Sequence, residues 1–367
     1  MKHIWQARVW PNFDYDRGET EPLLAAAIEA LGEVSGLQAG LDPGDLDELR
    51  LAQVVQEAMS SFGIEGVTLD AAAIEASVIA SLKQRNRAIV SRRSDAIVEL
   101  MLAARRAKEP LTAGMLQDWH RLLFYGIEVE DLGTWRRFQI DIVRSAAAGS
   151  NEILYQAPPP DRVGAEMAVF LKWLAQEQKQ PVPIMAAIAN LWFESIHPFS
   201  DGNGRIGRAI IEHVFAKTKA LPFSFSRQVE KEMRAYYAAL QAGRREGDGV
   251  IDATAFIVWF LECLVSAAAL SRNEAFLIVR RKRFLATLGQ HLSERQMTVL
   301  HTLFAQGEVR IAQGISARSY AKMARVSGPT ATRDLAAMER AGALTRSKAG
   351  GRSTHYRISS SEPAHWN

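Results

Sequence analysis

His197-Pro198-Phe199-Ser200-Asp201-Gly202-Asn203-Gly204-Arg205-Ile206-Gly207-Arg208 is the stretch of this 367-residue chain from which the rest is best read. Pro198 disfavours helical geometry at the residue before it, so a helix should stop at His197, with His197 extended. Gly202 and Gly204 permit positive φ and a close approach of backbone to a ligand. Apolar periodicity resumes from Arg205 to Lys217, so a helix should start near Arg205 with its free N–H groups facing the loop, an anion-binding arrangement. Arg205 and Arg208 share a helical face and suit phosphate oxygens. Asp201 suits Mg²⁺, which takes one carboxylate plus phosphates and water. His197 titrates near neutrality at the edge of this nest. Each residue alone is ordinary. In this order they fit phosphoryl or nucleotidyl transfer, where catalysis is mostly positioning and charge stabilisation.

Outward from the motif, helical periodicity dominates: 23–31, 46–59, 71–82, 94–107, 165–176, 185–195, 230–244 and 253–268 read as helices. Segments 138–143 and 152–156 alternate like strands and predict a hairpin closed by Pro158-Pro159-Pro160. Residues 273–291 predict a polar-faced helix joining two domains. Beyond it, SERQMTVLHTLF, then helices over 320–326 and 330–340, then two strands around Gly350-Gly351, follow the order of a winged helix-turn-helix. The expected organisation is a helical region 1–90, a core 91–270, a linker helix 271–291 and the winged unit 292–360.

The net charge of +3 is unevenly spread: residues 317–357 carry +7 and the remainder −4. A basic tail on an acidic body points to an anionic partner such as DNA, or to a solvated face that serves protein contacts. The lone Cys263 excludes an internal disulfide, and MKHIWQARVW lacks the apolar region of a secretion signal. No apolar run reaches the ~20 residues of a membrane helix; residues 257–270 come nearest, interrupted by Glu262. These features predict a cytoplasmic protein without a membrane partner.

HPFSDGNGRIGR resembles the Fic-domain signature HPFx(D/E)GNGRxxR at every defining position. LTAGMLQDWHRLLF (111–124) and GTWRRFQIDI (133–142) resemble the stretches that precede it in that family. The resemblance implies a mainly α protein, with a helical Fic core and a β-hairpin flap. It further implies transfer of AMP from ATP to a Tyr, Thr or Ser hydroxyl of a target protein laid along the 138–156 flap. His197 would deprotonate that hydroxyl, and Asp201 would bind Mg²⁺. Gly202, Asn203 and Gly204 would cradle the α- and β-phosphates, with the Asn203 side chain assisting. Arg205 would hold the β-phosphate and Arg208 the γ-phosphate. The intact Gly204 favours AMP over phosphate transfer, since relatives that move phosphate carry lysine there. Tyr236 and Tyr237 are either adenine neighbours or buried tyrosines at a helix contact.

Ser60-Ser61-Phe62-Gly63-Ile64-Glu65-Gly66 resembles the family's inhibitory motif (S/T)xxxE(G/N). Ser61, Glu65 and Gly66 fill its defining positions, and Glu65 would pair with Arg208 and deny it to the γ-phosphate. Gly63 inside that segment predicts a loosened or kinked helix. Two further readings stay open: a DNA-binding regulator with the Fic core as nucleotide sensor, and an enzyme that also removes AMP. A homodimer is compatible with either.

Overall fold

The computed structural model describes residues 3–83, 90, 92–106, 108–145, 151–176, 180–246, 249–288, 291–305, 311–347 and 354–359. Gly350-Gly351 and most of the stretch joining the two flap strands lie outside them. The chain divides into two compact units, residues 1–271 and 272–367.

The first unit is helical: α1 (Arg17–Ala39), α2 (Pro43–Gly63), α3 (Ala71–Lys83), α4 (Arg93–Arg106), α5 (Ala113–Leu123), α6 (Pro160–Ala175), α7 (Val182–Ile196), α8 (Asn203–Ala216), α9 (Phe225–Lys231), α10 (Met233–Ala242) and the first half of α11 (Thr254–Leu288), whose residues from Arg272 on belong to the second unit. Side-chain caps fix several starts. Asp16 accepts from the N–H groups of Gly18 and Glu19, Thr112 from that of Met115, and Ser224 from that of Arg227. The Asp16 cap sets the start of α1 six residues before the apolar periodicity begins. Helix α7 is buried on every side, packed against α6 and α8. That burial accounts for its apolar run, since an all-round hydrophobic helix belongs in a core.

Two expected helices differ. The 230–244 segment is divided at Glu232 (φ −107°, ψ 24°) into α9 and α10. The hydrogen-bond thread survives the bend, because Glu232 N–H still reaches Gln228 O and Tyr236 N–H reaches Glu232 O. Conversely, the core's last helix and the expected linker form one uninterrupted helix, α11; no glycine or proline intervenes between 254 and 288. By length and composition α11 suffices to cross a membrane, which revises the sequence expectation. Much of its apolar surface lies inside, however: Phe256, Ile257, Phe260, Leu261, Cys263 and Leu264 are all buried, while Phe276 is half exposed.

Strands are few. β2 (Asp141–Ser145) and β3 (Asn151–Gln156) form the antiparallel flap, with Asp141 opposite Gln156 and an irregularity between Ile142 and Val143. Pairing starts later than residue 138 because the upstream backbone is engaged elsewhere: Phe138 O accepts from Arg136 Nη1. A small sheet joins β1 (Phe13–Asp14) in parallel to β5 (Ile251–Asp252), which pairs antiparallel with β4 (Arg245–Glu246).

In the second unit, α12 (Glu294–Ala305), α13 (Ala317–Ala324), α14 (Gly328–Arg340) and the antiparallel pair β6 (Leu344–Arg346) and β7 (Tyr356–Ile358) enclose a core containing Leu300, Leu303, Phe304, Tyr320, Leu335 and Met338. Asp334, inside it, accepts from Tyr320 Oη at 3.0 Å and from Arg295 Nε at 2.8 Å.

Candidate active site

Helix α7 ends at Ile196, and His197 takes the left-handed conformation (φ 52°, ψ 60°) rather than the extended one that the following proline predicts. Its N–H closes the helix on Phe193 O at 2.9 Å, and its carbonyl accepts from Arg136 Nε at 2.8 Å. Left-handed geometry costs a non-glycine residue roughly 1–2 kcal/mol. Here the helix cap and Arg136 hold it, a form of strain often found at functional sites.

Arg136 is the anchor of this corner. Buried, it donates to four carbonyls, those of His197, Phe138, Pro158 and Ile196, and its own N–H binds Pro198 O. Burial pushes its pKa down to about 10. Sequence reading noticed Arg136 only as part of a resembling stretch. Arg244 does similar work from the far side: Nη2 donates to Glu194 O and Nε to Ser195 Oγ, and its guanidinium lies 4.3 Å over the Tyr155 ring.

The loop 198–202 is built around Phe199, fully buried and stacked on His120 with centroids 4.3 Å apart. His120 accepts from Gly133 N–H at Nδ1, so Nε2 carries the proton directed at Asp201 O (3.3 Å). Burial pushes its pKa down to about 4, so it stays neutral. Asn203 closes the loop, its amide exchanging two hydrogen bonds with the Phe199 backbone at 2.9 and 2.8 Å. Its side-chain oxygen and one of its two amide hydrogens thus serve the loop.

Helix α8 starts at Asn203, two residues earlier than its periodicity suggests, with Gly202 as cap at φ 80°. Of the two glycines only Gly202 needs positive φ; Gly204 is helical. Its missing side chain matters for a different reason: a Cβ there would overlap Glu65 Oε1. The first intrahelical bond of α8 is Ile206 N–H to Gly202 O. The N–H groups of residues 203–205 are thus those a helix start leaves for an anion.

The charged groups converge on this helix start. Arg205 donates to Asp201 Oδ1 at 3.1 Å and lies over the rings of Phe62 and Phe124. Arg208, buried, donates to Ser61 Oγ (3.0 Å), Ser61 O (2.7 Å) and Glu65 Oε1 (3.0 Å), while its Nη1 is buried without a partner. Burial opposes the Arg208 charge, but Glu65 more than offsets it and keeps the guanidinium's pKa high.

Ser61 and Glu65 do not share a helix face as their spacing suggests. α2 ends at Gly63, Glu65 occupies the turn after it, and Gly66 has φ 72°. Nor does Gly63 kink the helix interior. As the last helical residue it gives way to Glu230, whose carboxylate a Cβ would strike. Ser60 Oγ donates to that same carboxylate at 2.6 Å.

Tyr236 is buried with its hydroxyl unpartnered, and Tyr237 is half exposed beside it, centroids 5.2 Å apart. Burial, together with the carboxylates Glu194 and Glu65, raises the Tyr236 pKa.

His197 itself is pushed down to about 4 by burial and by Arg244 and Arg136. Its Nδ1 faces Glu194 O at 3.4 Å, which leaves Nε2 as the nitrogen able to take a proton. Asp201 is the exposed carboxylate of the site (side chain 61% accessible), held by Gly202 N–H and Arg205. Among the described residues no cluster of three His, Cys, Asp or Glu forms a protein-only metal cage. A lone accessible carboxylate beside an anion nest fits Mg²⁺ shared with phosphates and water.

Residues 110–215 match the Fic/DOC family, and residues 3–83 match a domain of unknown function, DUF4172. A probable protein adenylyltransferase of Aquifex aeolicus (strain VF5) is 35% identical over 81 residues, covering 22% of this chain and 25% of that protein. Protein adenylyltransferase Fic of Culex quinquefasciatus is 27% identical over 228 residues, covering 60% of this chain and 42% of that protein. The chain thus spans less than half the length of these curated relatives. A crystal structure of a Fic family protein from Desulfovibrio desulfuricans G20 shares the fold with TM-score 0.53 at 22% identity, over 93% of this chain and 97% of that one. Fic-1 from C. elegans does so with TM-score 0.50 at 20% identity, over 72% and 77%. Residues 110–215 therefore carry a Fic/DOC-family domain, and the fold is one shared with Fic family proteins.

Proposed function

We propose that this chain is an autoinhibited protein adenylyltransferase. It moves AMP from ATP onto a Tyr, Thr or Ser hydroxyl of a target protein, or of itself, and releases pyrophosphate. The observation that carries the reading is the meeting of His197, the α8 start and two buried guanidiniums around one loop.

His197 Nε2 takes the proton of the attacking hydroxyl. The N–H groups at the start of α8 hold the α- and β-phosphates, and Arg205 stabilises charge on the departing pyrophosphate. Mg²⁺ at Asp201 would supply charge neutralisation of the phosphates. Arg208 holds the γ-phosphate once Glu65 leaves it. While Glu65 stays, the triphosphate is displaced and the α-phosphorus lies out of line, which costs orders of magnitude in rate. The target lies along the flap as an added strand; the outward Val143 (41% accessible) and Ile153 (52%) support this.

Intact-mass analysis of the Glu65→Gly protein with ATP and Mg²⁺ tests the reading. An AMP adduct that disappears with His197→Ala supports it, and no adduct on either the protein or offered targets sinks it. Incubation with a pre-modified target separates transfer from removal of AMP.

A second reading concerns residues 292–360, which we read as a winged helix-turn-helix that contacts duplex DNA. Arg318, Lys322, Arg325 and Arg333 are all exposed along α13, the turn after it and α14, and this basic face supports it. Duplex affinity that falls steeply with salt is expected. Binding absent even at low salt removes this reading without touching the first.

A further inference from the structure

Behind the His197 imidazole sits a carboxyl group to which none of the roles above is given. Glu194, one turn back on α7, is buried, and its Oε2 lies 3.7 Å from His197 Nδ1. Its other oxygen, Oε1, is buried without a partner. So are both amide atoms of Asn190, a further turn back. The two side chains meet α8 where it carries none: a Cβ on Gly207 would lie 2.8 Å from Asn190 Nδ2 and 2.8 Å from Glu194 Oε1. Buried polar atoms without partners are costly, and a carboxyl kept in that state beside a catalytic base calls for a role.

The surrounding charges define it. When His197 takes a proton it becomes a cation in a buried place, with Arg136 and Arg244 close by and both opposing it. The Glu194 carbonyl, which Nδ1 faces at 3.4 Å, is already the acceptor for Arg244 Nη2 at 2.8 Å. A shared carbonyl is a poor partner for an imidazolium; a carboxylate is a strong one.

We propose that Glu194 is a positioning residue for the transfer: its carboxylate engages His197 Nδ1–H, orients the ring, and offsets the charge the ring gains at Nε2. The proposal rests on the reading of His197 as general base. In the step itself the hydroxyl O–H bond breaks and its proton passes to Nε2. The oxygen's electron pair forms the bond to the α-phosphorus, and the bond from that phosphorus to the pyrophosphate bridging oxygen breaks. Nδ1–H remains between the ring and Glu194 throughout. The bare α8 surface at Gly207 gives the carboxylate room to close from 3.7 Å to hydrogen-bond distance.

The groups facing Glu194 give this arrangement a pH signature. Burial pushes Glu194 up to about 7, with Glu65 raising it further and Arg244 and Arg208 opposing; Tyr236 faces it as well. The acid ionises as pH rises through about 7, so the support it lends His197 is present above that pH and lost below it.

The test compares Glu65→Gly protein with Glu65→Gly carrying Glu194→Gln. The ¹³Cε1 signal of His197, identified by its loss in His197→Ala, is followed against pH, and labelling kinetics with ATP are followed in parallel. The parent signal should show a step near pH 7 as Glu194 ionises, besides the ring's own titration in the acid range, and the step near pH 7 should vanish with Glu194→Gln. The rate should lose its acid limb and fall roughly 10²-fold in kcat, with KM for ATP unchanged. Glu194→Asp, which keeps the charge, should recover part of both, and carries the measurement if Glu194→Gln does not fold. A His197 signal that keeps its step near pH 7 in folded Glu194→Gln, or a Glu194→Asp protein that shows no such step, overturns the proposal. The spectroscopic arm needs no turnover, so an inactive parent counts against AMP transfer while the His197–Glu194 coupling is still judged on its own.

Discussion

Gly204 lacks a side chain at the point where Glu65 approaches α8, so that a Cβ on Gly204 would overlap the Glu65 carboxylate that Arg208 binds at 3.0 Å. On the proposed reading, nucleotide cradle and brake therefore occupy adjoining space. With Glu65→Gly, Arg208 regains donors for a terminal phosphate. A charge-assisted hydrogen bond contributes roughly 1.5–3 kcal/mol, so ATP affinity should rise about 10- to 100-fold by calorimetry. ADP affinity should change far less, because it lacks the γ-phosphate. Equal gains for ADP and ATP would contradict the assignment of Arg208.

His197→Ala removes the proposed base but leaves the amides of α8 and both arginines in place. AMP incorporation in the Glu65→Gly background should fall by about 10²–10⁴-fold. ATP binding measured on the same protein should persist. Loss of binding along with rate would mean that the left-handed corner at residue 197 shapes the phosphate site itself.

Much of this was legible in the residues alone. The HPFSDGNGRIGR run marks loop, helix start and arginines, because each residue type there has few other uses in that order. The helices follow from apolar spacing, and the pairing of Glu65 with Arg208 from a short motif's resemblance to a family pattern, whereas the Ser61 bonds to Arg208 emerge only in the fold. What escaped depends on distant chain. Arg136 and Arg244 hold the ends of α7 through backbone carbonyls, and a carbonyl has no residue signature to read. His197 breaks the pre-proline rule because Arg136, 61 residues away, captures its oxygen. Glu194 reads locally as one more polar residue near a helix end; only the fold shows it buried behind the imidazole.

Gly202 has a double constraint: φ is 80°, and a Cβ would press on Leu123 and on the Phe124 ring. Gly202→Ala should therefore cost at least the roughly 1–2 kcal/mol of left-handed geometry. A lower Tm of the first unit and weaker nucleotide binding are expected together. An unchanged Tm would show that the loop relaxes at no cost.

The second unit has its own pH dependence. Hydrogen bonds from Arg295 and Tyr320 hold Asp334 below its ordinary 3.8. A depressed carboxylate lends stability above its unfolded pKa, and that stability disappears as pH falls through the folded value. Acid unfolding of residues 272–367 followed by circular dichroism should show this loss below pH 3.8, and Asp334→Asn should flatten the curve there. An identical acid profile in the variant would remove Asp334 from the account.

The short β1 strand has a wider effect than its two residues suggest. Phe13 pairs with Ile251, Trp5 Nε1 donates to Gln156 O, and Ile4 and Ala7 share a small apolar cluster with Tyr155, Ala157 and Ile251. Residues near the start of the numbering thus fasten the foot of the flap to the stretch just ahead of α11. Contacts spanning so much chain close late and slowly during folding. Until they close, the base of the flap hairpin lacks its buttress, so the assembled flap reports that the first unit has come together.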